Sequence, residues 1–200
     1  MPSQSVLGVV IAGGRSVRFG GEKAVALLSG KPLLTWAVER LQRCCAAVAV
    51  NARPGTKAAA LAQAKDLPVL HDVAGDAAGP LAGIKVGLLW ATEQRARAIA
   101  VSPCDAPLLP DDLFMRLIDA AGSGASIAMT AEGHQPLCSV WPVSALGKVT
   151  EALEGGAHPA TWKMLYSLGA AHVHFPDAAA FANVNTQADL EVIAARLPPV

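Results

Sequence analysis

Val6-Leu-Gly-Val-Val-Ile-Ala-Gly-Gly-Arg-Ser-Val-Arg-Phe-Gly-Gly-Glu-Lys23 is the stretch that decides the fold. Its first part, Val6–Ala12, is an unbroken apolar run, as in a strand buried on both faces. The run ends in Gly13-Gly14 and continues through Arg15, Arg18, Gly20, Gly21 and Lys23. Glycine lets backbone N–H groups approach a phosphate closely, and Arg and Lys supply the opposing charge. Two glycines alone would describe an ordinary tight turn; two more, with three basic side chains, point to a phosphate-binding loop. The loop is not a Walker A sequence, and it is not the dinucleotide fingerprint G-x-G-x-x-G.

Outward from this loop, short apolar runs alternate with longer helical patterns. Strands are expected at Ala47–Asn51, Val69-Leu70, Ala98–Ser102, Ser126–Thr130, Leu137–Trp141 and Ala171–Phe175. Helices are expected at Pro32–Cys44, Thr56–Ala64, Pro80 to about Gln94, Pro110–Ala121, Ser144–Leu153, Ala160–Leu168 and Gln187–Leu197. Strand and helix in alternation indicate an α/β fold, a Rossmann-like three-layer α/β/α arrangement around a mostly parallel sheet. Residues 123–142 read as back-to-back strands around Gly133, so one antiparallel excursion is expected. No internal repeat or polar linker divides the chain, and residues 1–200 read as a single domain.

Composition narrows the function. Of 200 residues, 52% are hydrophobic and 16% charged, so there is enough apolar surface to offset the entropy of ordering, and disorder is excluded as the main state. Sixteen basic residues balance sixteen acidic ones, which argues against nucleic-acid binding through phosphates. Residues 1–31 carry +4 − 1 = +3, leaving −3 for the remainder. That imbalance suits a small anionic ligand, although four basic side chains could also be a solvated surface. Cys44, Cys45, Cys104 and Cys138 form no C-x-x-C pair and no zinc spacing, so reduced thiols in a cytoplasmic protein are expected. Met-Pro-Ser-Gln lacks the basic region of a signal peptide, and no apolar run is long enough for a membrane span.

In an open α/β sheet, ligands bind beyond the carboxyl ends of the strands. Three further loops there carry candidate chemistry. Asp105, in Ser102-Pro-Cys-Asp-Ala-Pro107, follows a buried strand between two prolines, a suitable place for a divalent-metal ligand; the plainer alternative is a turn or cap residue. Asp111 and Asp112 are better placed to cap the following helix. Asp72 precedes Gly79-Pro-Leu-Ala-Gly83, and a carboxylate there can accept two hydrogen bonds from a base edge such as guanine N1–H and its 2-amino group, or it can be a plain loop residue. Asn183 and Asn185 alternate ahead of Thr186, which is expected to be a helix N-cap with Asp189 in a capping-box position. As strand residues the two asparagines would share a face and could line the site, or they could form turns. Cys104 has no His paired with it, and the five histidines (71, 134, 158, 172, 174) are scattered, so none is assigned to catalysis.

Taken together and in this order, these stretches resemble the molybdenum cofactor guanylyltransferases, which have the nucleotide-diphospho-sugar-transferase-like fold. The matching residues are Gly8-Val-Val-Ile-Ala-Gly-Gly-Arg15, Gly20-Gly-Glu-Lys23, Gly30-Lys-Pro32, Asn51, Asp72, Gly79-Pro-Leu-Ala-Gly83, Pro103-Cys-Asp-Ala-Pro107 and Asn183-Val-Asn-Thr186. The resemblance implies transfer of GMP from GTP to the terminal phosphate of molybdopterin, with Mg²⁺ and release of pyrophosphate. It implies nucleotide contacts from Ile11, Ala12, Gly13 and Lys23, and from Asn51 and Asp72; Gly14 and Gly79, Pro80, Leu81, Ala82 and Gly83 are expected to join them. It implies that Asp105 binds both GTP and Mg²⁺. On the chemistry of the residues, Lys23 and Arg15 are expected to hold the triphosphate, and Asn183 and Asn185 are candidates for lining the pterin or active site. Molybdopterin-supplying and molybdoenzyme acceptor proteins are compatible partners. The family often has Asp before the loop lysine, and this chain has Glu22, which leaves the loop geometry open. A cytidylyltransferase for the same pterin, a sugar-phosphate nucleotidyltransferase on this fold, and a non-catalytic molybdopterin carrier are the alternatives.

Overall fold

The computed structural model describes residues 5–14, 19–76, 79–154 and 159–197. Along the chain run β1 (Val6–Ile11), a hairpin of β2 (Leu27–Leu28) and β3 (Lys31–Pro32), α1 (Leu33–Gln42), β4 (Val48–Asn51), α2 (Lys57–Gln63) and β5 (Val69–Leu70). They are followed by α3 (Pro80–Glu93), β6 (Ala98–Pro103), α4 (Leu113–Ala121), β7 (Ser126–Thr130), β8 (Gly133–Pro142), α5 (Leu146–Glu154), α6 (Thr161–Ser167), β9 (Ala171–His174) and α7 (Gln187–Ala194). Among the described residues the main sheet has seven strands in the order β5-β4-β1-β6-β8-β7-β9. All neighbours are parallel except β8, which runs antiparallel to both β6 and β7. The expected excursion is therefore this one reversed strand.

The sheet is covered on both faces because its central strands are apolar on both. From β1, Val6 and Val10 pack with α1, α2 and α4, while Leu7 and Val9 pack with α3, α5 and α6. A smaller cluster of Phe19, Leu28, Leu33, Val184 and Ile193 fastens the β2–β3 hairpin and α7 to the body. The register brings the strand ends level. Ile11 is opposite both Asn51 and Pro103, and Asn51 is opposite Leu70. Four carboxyl ends thus share one rim, and the loops leaving it converge.

Some boundaries differ from the sequence reading, each for a local reason. Pro32 is not in the first helical turn; it closes the β2–β3 hairpin and is the N-cap of α1. That hairpin is too short to leave a periodic signal. α4 starts at Leu113, later than expected. Asp112 occupies its N-cap position without a side-chain cap bond, and Asp111 pairs with Arg43 at 2.6 Å. β8 begins at Gly133, whose φ of +115° suits glycine, and is longer than expected because its polar half pairs with β7. The segment holding Asn183 and Asn185 is not a strand, yet its alternation holds: Val184 is fully buried and the asparagines on either side are exposed.

Gly8 shows how closely α1 lies on β1. A Cβ there would stand 3.0 Å from Leu41 Cβ and 3.1 Å from Val48 Cγ2. Leu41 itself is fully buried. Leu41→Ala should cost about 2–5 kcal/mol through the cavity it leaves, and Gly8→Ala about 1–3 kcal/mol through overpacking. Leu41→Ala keeps its Cβ and relieves only the contact with Leu41 Cδ1, so in urea denaturation the two costs should be close to additive in the double variant. A double-variant cost well below the sum would show that the neighbours of position 8 relax into the vacated space.

Candidate active site

Asn51 is the last residue of β4, where an amide is buried among apolar neighbours. Its Nδ2 donates to the Leu70 carbonyl at 3.2 Å and to Asp72 Oδ1 at 2.8 Å, which meets the requirement that a buried amide be hydrogen-bonded. Gly83, in the first turns of α3, leaves room for this side chain. A Cβ at position 83 would lie 2.4 Å from Asn51 Oδ1 and 2.9 Å from Ile11 Cδ1. Pro80 opens α3, where a missing N–H costs nothing. The loop between Asp72 and α3 is further held by an ion pair, Lys85 Nζ to Asp76 Oδ1 at 2.9 Å, with both side chains buried.

Across the rim, Asp105 follows β6. Its carboxylate Oδ2 accepts from Lys23 Nζ at 2.8 Å, and Lys23 also donates to Asn185 Oδ1 at 3.0 Å. These side chains are 13% (Lys23) and 22% (Asp105) exposed, so a ligand can reach both. The turn carrying Asp105 is tied on two sides. Val184 N–H donates to the Asp105 carbonyl at 2.8 Å, and buried Arg40 donates to the Pro107 carbonyl at 2.8 Å. Asn185 is held in turn by the expected capping box of α7, in which Asp189 Oδ2 accepts from the Asn185 and Thr186 N–H groups at 2.8 Å. Those backbone bonds keep the Asp189 carboxyl below the usual carboxylate range. Burial pushes the Cys104 thiol up to about 12, which makes it a poor nucleophile.

The rim encloses a cleft of about 430 Å³. Ile11, Ala12, Gly13 and Gly14 line one wall, with Lys23 and Asp105 on one side and Asn51, Asp72, Gly79 and Pro80 on the other. Leu81 packs in the hydrophobic layer instead, Ala82 is fully buried, and Gly83 stands behind Asn51. Arg15 lies outside the described residues, as do Arg18 and His158. Arg53 also lines the cleft and was not singled out; as the second residue after a strand-ending Asn51 it satisfies the same positional rule as Asp105. A second hollow of about 180 Å³ adjoins Asp105 and is lined by Gln135, Pro136, Cys138, Phe181 and Asn183. No periodicity or motif marks that group, because the fold gathers it from distant segments. Among the described residues, no group of three or more His, Cys, Asp or Glu side chains converges. The carboxylates of the cleft are Asp72 and Asp105. A hard cation here would have one or two protein oxygens and would take the rest from phosphate and water, the usual Mg²⁺ arrangement.

Among the described residues the cleft is lined by backbone, holds the Lys23–Asp105 pair and shows no nucleophile–base pair, which suits the handling of a nucleoside triphosphate. Comparison with known proteins agrees. The chain matches the MobA-like NTP transferase domain over residues 8–175. It is 38% identical over 189 residues to a molybdenum cofactor guanylyltransferase of Cereibacter sphaeroides, covering 92% of this chain and 93% of that one. Against the enzyme of the same name from Cupriavidus taiwanensis it is 38% identical over 202 residues, covering 96% and 97%. The solved structure of molybdopterin-guanine dinucleotide biosynthesis protein A from Archaeoglobus fulgidus superimposes with a TM-score of 0.74 at 22% identity, covering 96% of this chain and all of that one. A 4-diphosphocytidyl-2C-methyl-D-erythritol synthase shares the fold with a TM-score of 0.71 at 14% identity, covering 96% and 98%. The chain belongs to the MobA-like NTP transferase family.

Proposed function

We propose that the chain transfers GMP from GTP to the terminal phosphate of molybdopterin, with or without its molybdenum, forming molybdopterin guanine dinucleotide and pyrophosphate. The observation that carries this reading is the placement of Lys23 and Asp105 opposite the Asn51–Asp72 pair across one cleft. Relatives bearing the guanylyltransferase name over nearly the full chain support it. The free cysteines are compatible with a cytoplasmic enzyme.

In this reading a phosphate oxygen of the pterin forms a bond to the α-phosphorus of GTP, and the bond from that phosphorus to the bridging oxygen breaks. Pyrophosphate leaves with the electron pair. A phosphate monoester has a second pKa of about 6, so the attacking oxygen is already ionised at neutral pH and no general base is needed. The protein's work is to position the partners and to neutralise charge. Gly13 and Gly14 allow the triphosphate close to the backbone, and Lys23 supplies a positive charge beside it. Asp72 has one carboxylate oxygen held by Asn51 and can accept donors from a guanine edge. The second hollow beside Asp105, with Asn183 at its edge, is the place for the pterin phosphate. Asp105 fits a Mg²⁺ ion, since a cationic group already sits against its Oδ2 and the phosphates would complete the shell. When bound, that ion neutralises charge on the phosphates.

The direct test is incubation with GTP, molybdopterin and Mg²⁺, reading pyrophosphate release and the dinucleotide product. Asp105→Asn keeps the shape of the side chain but removes its charge, and should lower turnover by about 10²–10³-fold with little change in melting temperature. Unchanged turnover would remove Asp105 from the mechanism. Asp72→Asn replaces one acceptor oxygen with a donor and should narrow the preference for GTP over CTP by about tenfold or more. If discrimination in competition assays stays intact, the base is read elsewhere. A wild-type enzyme that uses CTP in place of GTP would make the product the cytosine dinucleotide.

A further inference from the structure

Glu22 lies next to the cleft lysine and makes a long-range contact of its own. Its Oε1 accepts from the Lys57 N–H at 2.9 Å and its Oε2 from the Ala58 N–H at 3.0 Å. These belong to the first turn of α2, whose N–H groups have no helical carbonyl partner. Thr56 is the N-cap of that helix, and its hydroxyl takes the Ala59 N–H at 3.3 Å. The helix thus has its own cap, and Glu22 adds a second attachment that comes from the glycine-rich loop.

That attachment sits next to the residue that must be aimed. Directly after Glu22 the chain makes a single 3₁₀ turn, Lys23–Val25, closed by Val25 N–H on the Glu22 carbonyl at 3.2 Å, with Ala24 buried beneath it. Lys23 reaches Asp105 and Asn185 from this turn. Directly before Glu22 stand Gly20, at φ +74°, and Gly21. Two glycines in succession give the backbone wide freedom, and ordering it only when a ligand arrives would subtract from the binding energy.

We propose that Glu22 is a positioning residue that clamps the glycine-rich loop to α2 so that Lys23 is aimed before the triphosphate arrives. The inference deepens the proposed function, since it rests on Lys23 as the phosphate ligand. A carboxylate is required because both oxygens must accept, and glutamate's length lets it span both donors. A glutamine offers one acceptor oxygen and turns an N–H toward an N–H.

The test compares Glu22→Ala, Thr56→Ala, Lys23→Ala and the double variant Glu22→Ala/Lys23→Ala. Three quantities are read: GTP affinity by calorimetry with Mg²⁺, amide hydrogen exchange over residues 20–26 without ligand, and melting temperature. Glu22→Ala should weaken GTP binding about tenfold and speed exchange over residues 20–26. Thr56→Ala should lower the melting temperature while leaving affinity unchanged, which separates helix capping from aiming. In the Lys23→Ala background, Glu22→Ala should change affinity less than about twofold, because a residue that acts through Lys23 has nothing left to aim. An equal loss in both backgrounds, or wild-type affinity in Glu22→Ala, overturns the proposal. If the wild-type protein binds no GTP, the proposed function fails; exchange over residues 20–26 then decides the clamp, and unchanged exchange in Glu22→Ala overturns it. Should Glu22→Ala not fold, Glu22→Gln takes its place in each comparison with the same expected directions.

Discussion

The 2.8 Å contact between Lys23 Nζ and Asp105 Oδ2 joins segments 82 positions apart. Other parts of the cleft are arranged around it. Asp105 stands at the end of β6 because that strand is buried from Ala98 to Pro103 and cannot continue past the prolines. Its carbonyl receives Val184, which carries the 182–186 segment and the capping box of α7 against the same point. Its carboxylate receives Lys23, which brings in the glycine-rich loop. A mostly buried ion pair of this kind contributes little net stability, because removing both charges from water offsets their attraction. Its value lies in placement: a positive charge carried by the glycine-rich loop and a negative one fixed at the end of β6 meet at the rim of the cleft.

The opposite wall depends on an absence of volume. The side chain of Asn51 can turn toward Asp72 because position 83 has no Cβ. Gly8 and Gly87 do the same for the interior, letting α1 and α3 lie close on β1. With both helices close and Ile11 level with Asn51 and Pro103, the strand ends form one rim. The same layering that makes a sheet buried on both faces therefore makes the cleft.

The sheet and its cleft were legible in the sequence wherever the signal was local. Val6–Ala12 declared a buried strand, Gly13-Gly14 its ending, and Thr186 with Asp189 a capping box, since each rests on a few adjacent residues. Gly79-Pro-Leu-Ala-Gly83 was legible as a motif, but the reason for Gly83 was not, because Asn51 is 32 positions earlier. Leu81 and Ala82 belong to the same motif as the glycines, yet helix geometry buries both. The β2–β3 hairpin, Arg53 at the cleft, the buried Lys85–Asp76 pair and the grip of Glu22 on α2 all depend on tertiary proximity. Periodicity and spacing carry no information about such pairs.

The proposed function makes this cleft a guanine nucleotide site. The measurement that tests it most directly is calorimetric titration of GTP, CTP and ATP into the wild-type protein with Mg²⁺. The account predicts saturable binding of GTP to one site, well above that of CTP and ATP. Binding of all three with equal affinity, or selective binding of CTP, would contradict the assignment of Asp72 and its loop to guanine.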